Sequence, residues 1–382
     1  MCMSALFVFC SFVLFDSEFV KTLLDGSETA WQKLGDESSP PEQDLKTLAD
    51  LADKLARWVP RSFLKEHAAD SLPLNRGEVL RLRGNVIFVT QYDGVYHCKM
   101  EQNNEVIDLF VPSIPKAWKQ DVSIRERSAA FGVYVKSYQE RHVFAAPAVQ
   151  WYPDTWLGNL GFDVGSFDRV PVSRVTELEQ HDEETNRRTF KFTESDSEPF
   201  YGLLQAVSAT PAGWLEEEAM KQQTQTQQAE TPFNVTDLFN RPHEMRGKPV
   251  LLRGTAKRIV PTPVTDSEVQ SLFGIDCYYQ IYLFTDQSQG HPLVVCVRSL
   301  PEGMPAGDAG DFSETITVAA ILYKLWIYET PEGPHYAPVL VGRSPVWHPH
   351  SQPLPSVTAF SLTLFFTLVL IWFGCRCWAR RK

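Results

Sequence analysis

Arg76-Gly77-Glu78-Val79-Leu80-Arg81-Leu82-Arg83-Gly84 and Arg246-Gly247-Lys248-Pro249-Val250-Leu251-Leu252-Arg253-Gly254 align without a gap. Arg, Gly, Leu, Arg and Gly stand in the same places in both. Each stretch opens on a charged residue and a Gly and passes into an apolar run of imperfect alternation. Gly84 and Gly254 fall where a strand would bend or bulge. The correspondence continues downstream. Ile114-Pro115 answers to Leu300-Pro301, Lys136 to Lys324, and Pro147 to Pro338, and each unit closes on Trp-x-Pro, at Trp151-Tyr152-Pro153 and Trp347-His348-Pro349. Matches in one order along two segments predict a duplicated domain.

The flanking pattern supplies strands for both copies. Val95 to Met100, Val106 to Val111, Arg127 to Tyr138 and Val143 to Trp151 follow the first quoted stretch, with turn residues such as Asn103-Asn104 between them. Cys277 to Thr285, Leu293 to Arg298, Thr315 to Glu329 and Tyr336 to Val341 follow the second. A helix is expected before each copy. From Asp44 to His67, Leu45, Leu48, Leu51, Leu55 and Trp58 recur at steps of three and four until Pro60 interrupts them. Pro199 to Gln222 has a similar pattern, and the Gln/Thr-rich run from Gln222 to Glu230 reads as a solvated connector.

Length and composition suit packed domains. The chain has 382 residues, 43% hydrophobic, 22% charged and 12% aromatic, and aromatics in short alternating runs favour β structure. A net charge of −11, with basic clustering only in the tail, argues against a nucleic-acid surface, because phosphate contacts need grouped Lys and Arg. Cys98, Cys277 and Cys296 are isolated. They make no disulfide framework and no zinc spacing, and read as small buried apolar residues.

Val357 to Cys375 carries no charge and is long enough, at about 1.5 Å per residue, to cross a hydrocarbon core. Trp372 and Trp378 sit near its end, and Arg376, Arg380, Arg381 and Lys382 follow. The positive-inside tendency then places the tail in the cytoplasm and the bulk of the chain outside it. Ser4 to Phe15 is a shorter apolar run without a preceding Lys or Arg, expected to be a targeting or membrane segment.

The expected organisation is therefore an apolar segment over 1–15, a helical region over 16–74 and a first β domain over 75–153. A polar linker with a helix over 154–230 leads to a second β domain over 231–349. A spacer over 350–356, a transmembrane helix over 357–375 and a basic tail over 376–382 complete it. A long first strand with a mid-strand Gly, followed by four more strands, resembles the OB-fold, a small five-stranded Greek-key barrel. The whole chain resembles uncharacterised membrane-anchored bacterial proteins with tandem OB-fold-like domains. That resemblance implies a mainly β fold with helical segments, two OB-like barrels and one C-terminal transmembrane helix, and brings no established activity.

Catalytic spacings are missing from the sequence. There is no Gly-Lys-Ser/Thr phosphate loop, no Gly-x-Ser-x-Gly elbow and no His-Glu-x-x-His. No catalytic residue, cofactor or metal ligand is expected; His348-Pro349-His350 reads as a juxtamembrane spacer. The aromatics are more informative. Tyr278, Tyr282 and Phe284 should share one strand face and Tyr279 the other. One set fills the barrel, and the other either forms a stacking platform or lies under a helix. Pro and Gly punctuate the loop from Leu300 to Asp311, and loops carry binding. Tyr279, Trp326, Pro301 and Gly303 are therefore the candidate ligand or partner contacts. The expected function is a non-enzymatic envelope protein presenting two barrels to a protein partner. The alternatives are a small-ligand or cofactor carrier of the anchored OB type, or an enzyme with a site between the repeats. No His precedes a Tyr at the His-x-x-x-Tyr spacing of the related haem carriers.

Overall fold

The structure is a computed structural model. It describes residues 17–24, 28–35, 37–71, 75–92, 94–120, 123–175, 180–182, 187–189, 193–227, 233–308, 310, 312–330, 333–349, 367–372 and 376. The chain is mostly β with some helices, and two of its sheets close into rings. Strands of the first ring are β1 (Val79–Tyr92), β2 (Val95–Gln102), β3 (Glu105–Val111), β4 (Ser123–Tyr138) and β5 (Arg141–Ala145). Those of the second are β6 (Pro249–Pro263), β7 (Cys277–Phe284), β8 (Leu293–Val297), β9 (Glu314–Thr330) and β10 (Gly333–Gly342).

Both rings have one topology. β1 pairs with β2 and β2 with β3, β3 runs parallel to β5, and β4 pairs with β5 and returns to β1. In the second ring β6, β7, β8, β10 and β9 follow the same cycle, with β8 parallel to β10. Strand alternation explains the two layers of each unit. In the second, Val250, Leu252, Ile281, Leu283, Val295, Val318 and Leu340 make one cluster from all five strands. The intervening residues Tyr278, Tyr282, Val294, Cys296, Ile321, Trp326 and Val339 make another.

That second cluster is completed by helices. α1 (Ser17–Leu23), α2 (Glu28–Leu34), α3 (Leu45–Trp58) and α4 (Arg61–His67) precede the first ring. Leu48, Leu51, Leu55 and Leu64 pack with Val79, Phe110, Val133 and Val143. On the second ring α5 (Glu194–Ser208) and α6 (Trp214–Gln227) place Phe200, Leu203, Leu204, Val207 and Leu215 over the outer face. The helices are present because aromatic and aliphatic strand faces left bare would be about 25 cal/mol per Å² less stable.

The glycines of the quoted stretches serve a common need. Each lies where the first strand passes from pairing with the fourth to pairing with the second. A Cβ on Gly84 would stand 2.2 Å from the Glu101 carbonyl oxygen, and one on Gly254 2.2 Å from that of Phe284. Both first strands then shift register, between Val86 and Phe88 and between Ala256 and Arg258. Gly77 (φ 95) and Gly247 (φ 76) turn the chain into these strands and donate to the carbonyls of Tyr134 and Leu322.

Side-chain contacts recur too. Lys136 and Lys324 both follow a register shift in the fourth strand. Their ammonium groups reach back to the helical preface, to Asp44 at 2.8 Å and to Asp196 at 2.6 Å. Trp151 Nε1 donates to Glu126 at 3.0 Å, and Trp347 Nε1 to Glu314 at 2.7 Å. Arg76 lies 3.7 Å over Trp31, while Arg246 lies 4.3 Å over Phe167. Burial lowers the Arg76 pKa to about 10 against the opposing pull of Asp44.

Several expectations need adjustment. The fifth strand of the first ring ends at Ala145, and Gln150–Trp151 is a separate short strand on β4. The Gln/Thr-rich run is helical through Gln227, because α6 continues into it. The polar stretch after Asp163 contains a 3-10 turn, Val164–Arg169, and Val170 is buried against the second unit. As expected, Cys98, Cys277 and Cys296 form no disulfide, with Cys98 and Cys296 buried and Cys277 half-buried. The apolar segment 1–15 lies outside the described residues, as does the expected span 357–375 except for 367–372. Those six residues are helical. No helix among the described residues is long and apolar enough to cross a membrane.

Candidate site between the two barrels

Three of the four sequence-predicted contacts share one end of the second barrel. Tyr279 is half-buried, pairs with Val297 and Pro261, and packs against the interior cluster together with Leu300 and Trp347. Pro301 is half-buried, and its carbonyl accepts from Met304 N at 3.1 Å. Gly303 (φ 77) is exposed beside Trp347. Their loop is tied to β6 by reciprocal hydrogen bonds between Gly307 and Ile259, at 2.8 and 3.1 Å. Trp326 stands apart from them. It pairs with Ala337, is 2% exposed, and lies in the cluster beneath α5. Tyr279 and Trp326 thus occupy different faces of the sheet.

A concavity of about 1330 Å³ lies elsewhere, between the two units. One wall comes from the end of α3 and start of α4 and from the loops after β3 and β5; the other comes from α5, the end of β6 and α7 (Ser267–Phe273). Pro60, Pro112, Pro115, Pro147 and Pro263 stiffen the walls. Trp58, 55% exposed, stands in this cleft. The helix ends at Trp58 because Pro60 follows, which fixes the indole on the last turn instead of on the buried stripe.

Polar contacts hold the units at this distance. The Arg61 guanidinium pairs with Glu198 of α5, and the Arg61 backbone N–H donates to Glu268 Oε1 at 2.9 Å. Lys65 Nζ donates to the Leu272 carbonyl at 2.8 Å. Arg169 also reaches Glu198, at 3.1 Å. Asp163 accepts from Trp151 N at 2.9 Å and fastens the intervening segment to the first barrel. Burial lowers the Arg61 pKa and raises that of Asp163, the latter opposed by the Trp151 N–H and by Arg61. Burial also pushes the Tyr201 hydroxyl up to about 12.

A smaller cavity of about 350 Å³ shares Arg61, Asp163, Arg169 and Glu198 with the cleft and opens toward the outer side of β1 and β4. No group of three or more metal-ligating side chains occurs among the described residues. The cleft residues come from segments far apart in the chain, so no local spacing announces them. Pro60 after a helical run ending in Trp58 is the one local signal, and it marks a helix break without indicating what faces it.

No family model matches the chain, and no curated protein matches it. Thirty-three chains of solved structures do. One, described as "Structural mimicry for functional antagonism", has 6% identity and a TM-score of 0.14, covering 67% of this chain and 87% of that one. Another, "Molecular basis for abrogation of activation of pro-inflammatory cytokines", has 8% identity and a TM-score of 0.14, covering 75% and 99%. An aspartyl tRNA synthetase from Entamoeba histolytica has 10% identity and a TM-score of 0.15, covering 59% and 51%. Scores this low carry no argument about fold or function.

Proposed function

We propose that this chain is a non-enzymatic interaction module in which two OB-type barrels are fixed side by side and receive a protein partner in the cleft between them. The observation that carries the reading is the location of concave surface. Most of each barrel's outer sheet face, where OB barrels bind ligands, is occupied by the unit's own helices. The inter-unit cleft remains, walled by both copies and held by the Arg61–Glu198 and Lys65–Leu272 contacts. The OB assignment rests on the cycle of strands, with the third and fifth parallel in each ring.

The module is anchored by the uncharged run 357–375, with the bulk of the chain outside the cytoplasm. Supporting this are the cationic tail and the surface of the helical residues 367–372, where Leu368, Leu370, Ile371 and Trp372 are exposed. A tether raises the effective concentration of the cleft near membrane partners.

Photo-crosslinking in native membranes tests the reading. A photoreactive residue at Trp58 should form one discrete adduct, and the same residue at Met220, exposed on α6, should form none. Equal labelling from both positions, or none from Trp58, would overturn it. A reporter after Lys382 should be active only in the cytoplasm, and the opposite result would overturn the anchor's orientation.

A further inference from the structure

The two quoted stretches differ at four positions, and at one of them an apolar residue on the second unit's first strand stands where the first unit has a cation. Leu251 in the second unit pairs with Ala319, and both join the apolar cluster under α5 and α6. Its counterpart Arg81 pairs with Phe131 and lies 5.7 Å over that ring. The same strand face is therefore helix-covered in one copy, while in the other it forms a wall of the smaller cavity.

That wall is cationic in a chain of net charge −11. Arg81 and Arg83, two residues apart on β1, project from one face about 7 Å apart. Arg61, Lys65 and Arg169 complete the lining, against two carboxylates, Asp163 and Glu198. Five cations less two carboxylates leave an excess of three positive charges. Glu198 is already shared between Arg61 and Arg169. Arg81 has only a 3.5 Å contact with Asp70, which is 81% exposed, and Arg83 has no carboxylate partner among the described residues. A concave site with such an excess focuses potential on an anion. Burial also lowers the Arg61 pKa, a cost that a bound anion would relieve.

We propose that this cavity binds a small phosphate-bearing anion, gripped by the paired guanidinium groups of Arg81 and Arg83 with Arg61 and Arg169 behind them. Planar forked donors suit phosphate oxygens. A volume of about 350 Å³ admits a phosphomonoester and excludes a folded chain. The proposal is independent of what the larger cleft receives.

Thermal melting of the full chain in detergent tests it, with inorganic phosphate replacing chloride at constant ionic strength. The midpoint should rise with phosphate concentration. R83Q should weaken the response by roughly tenfold, the loss of a charge-assisted hydrogen bond. Arg253→Gln, the matching position in the second barrel, should leave the response intact. A shift no larger in phosphate than in chloride, or one equal in R83Q and wild type, overturns the proposal. Phosphatidylglycerol vesicles form the second arm. Flotation with them that needs Arg83, without any response to free phosphate, assigns the patch to lipid headgroups and also overturns the small-anion site. Melting in chloride alone checks that R83Q is folded.

Discussion

Replacing Asp196 by Ala would leave the Lys324 ammonium facing a strand and a helix without the carboxylate it pairs with. Both side chains of this pair are 1% exposed, and the Nζ–Oδ2 distance is 2.6 Å. Asp196 also fixes its helix through its carbonyl, which accepts from the Tyr323 hydroxyl at 2.8 Å. Removing one member of a buried pair costs about 3–5 kcal/mol, because the survivor keeps its charge without its water. In a unit of this size that lowers the melting midpoint by roughly 10 °C.

The duplicate supplies the control. Lys136 pairs with Asp44, but its Nζ also donates to the carbonyl and hydroxyl oxygens of Ser39 at 3.0 and 3.1 Å, and the Asp44 side chain is 13% exposed. Asp44→Ala should therefore cost only about 1–2 kcal/mol. The double variant Asp196→Leu with Lys324→Met removes both charges and should recover much of the loss. Urea unfolding of the full chain in detergent, with hydrogen exchange assigning each transition to a barrel, measures all three. If Asp196→Ala costs less than Asp44→Ala, or the double variant is no better than either single one, the buried-pair reasoning fails.

Other consequences can be checked by the same unfolding assays. Gly84→Ala and Gly254→Ala each place a Cβ 2.2 Å from a carbonyl oxygen and should each cost about 3 kcal/mol or more; a loss below about 1 kcal/mol at either site would refute the shared close approach. Trp326→Ala should cost about 3–5 kcal/mol, as core aromatic truncations do, whereas Tyr279→Ala, at a half-buried position, should cost markedly less. Asp163 has a folded-state pKa raised by burial. Its stabilising contribution is thus full below the unfolded value of about 3.9 and is lost as pH rises through the folded one. Asp163→Asn should accordingly gain on wild type as pH rises above the unfolded value, and an advantage that shrinks with rising pH would refute the assignment.

The barrels were legible because their determinants are local or repeat within the sequence. Gly84 and Gly254 marked a bend, and Asn103 and Asn104, both with positive φ, marked the β2–β3 turn. The repeated Lys136/Lys324 and Trp151/Trp347 were visible as identities, but their partners Asp44, Asp196, Glu126 and Glu314 were not, since pairing across the fold leaves no spacing to read. The aromatic face was read correctly as two sets and incompletely as to cover. Periodicity showed that Tyr278 and Tyr279 diverge, but it could not tell that α5 lies over the first. The cleft was not legible, because Trp58, Arg61, Asp163 and Glu198 meet only after both units have folded.

The two cavities described above are both lined by residues of both copies. Each unit spends its helix covering the outer strands, as Leu51 and Leu55 do over Phe110, and Phe200 and Leu204 do over Tyr278. What the two units do not share is the outer side of the first strand. The second copy keeps Leu251 there, half-buried against the apolar cluster, with Gln223 of α6 donating to its carbonyl at 3.4 Å. The first carries Arg81 and Arg83, and its α4 turns away to pair with Glu198 and Glu268 of the neighbour. α4 thus packs Leu64 against the first ring while Arg61 of the same helix latches the units, and the cationic cavity lies beside that latch. Arg61 belongs to both spaces. The proposed anion, seated against Arg61, would therefore meet the guanidinium that Glu198 already holds.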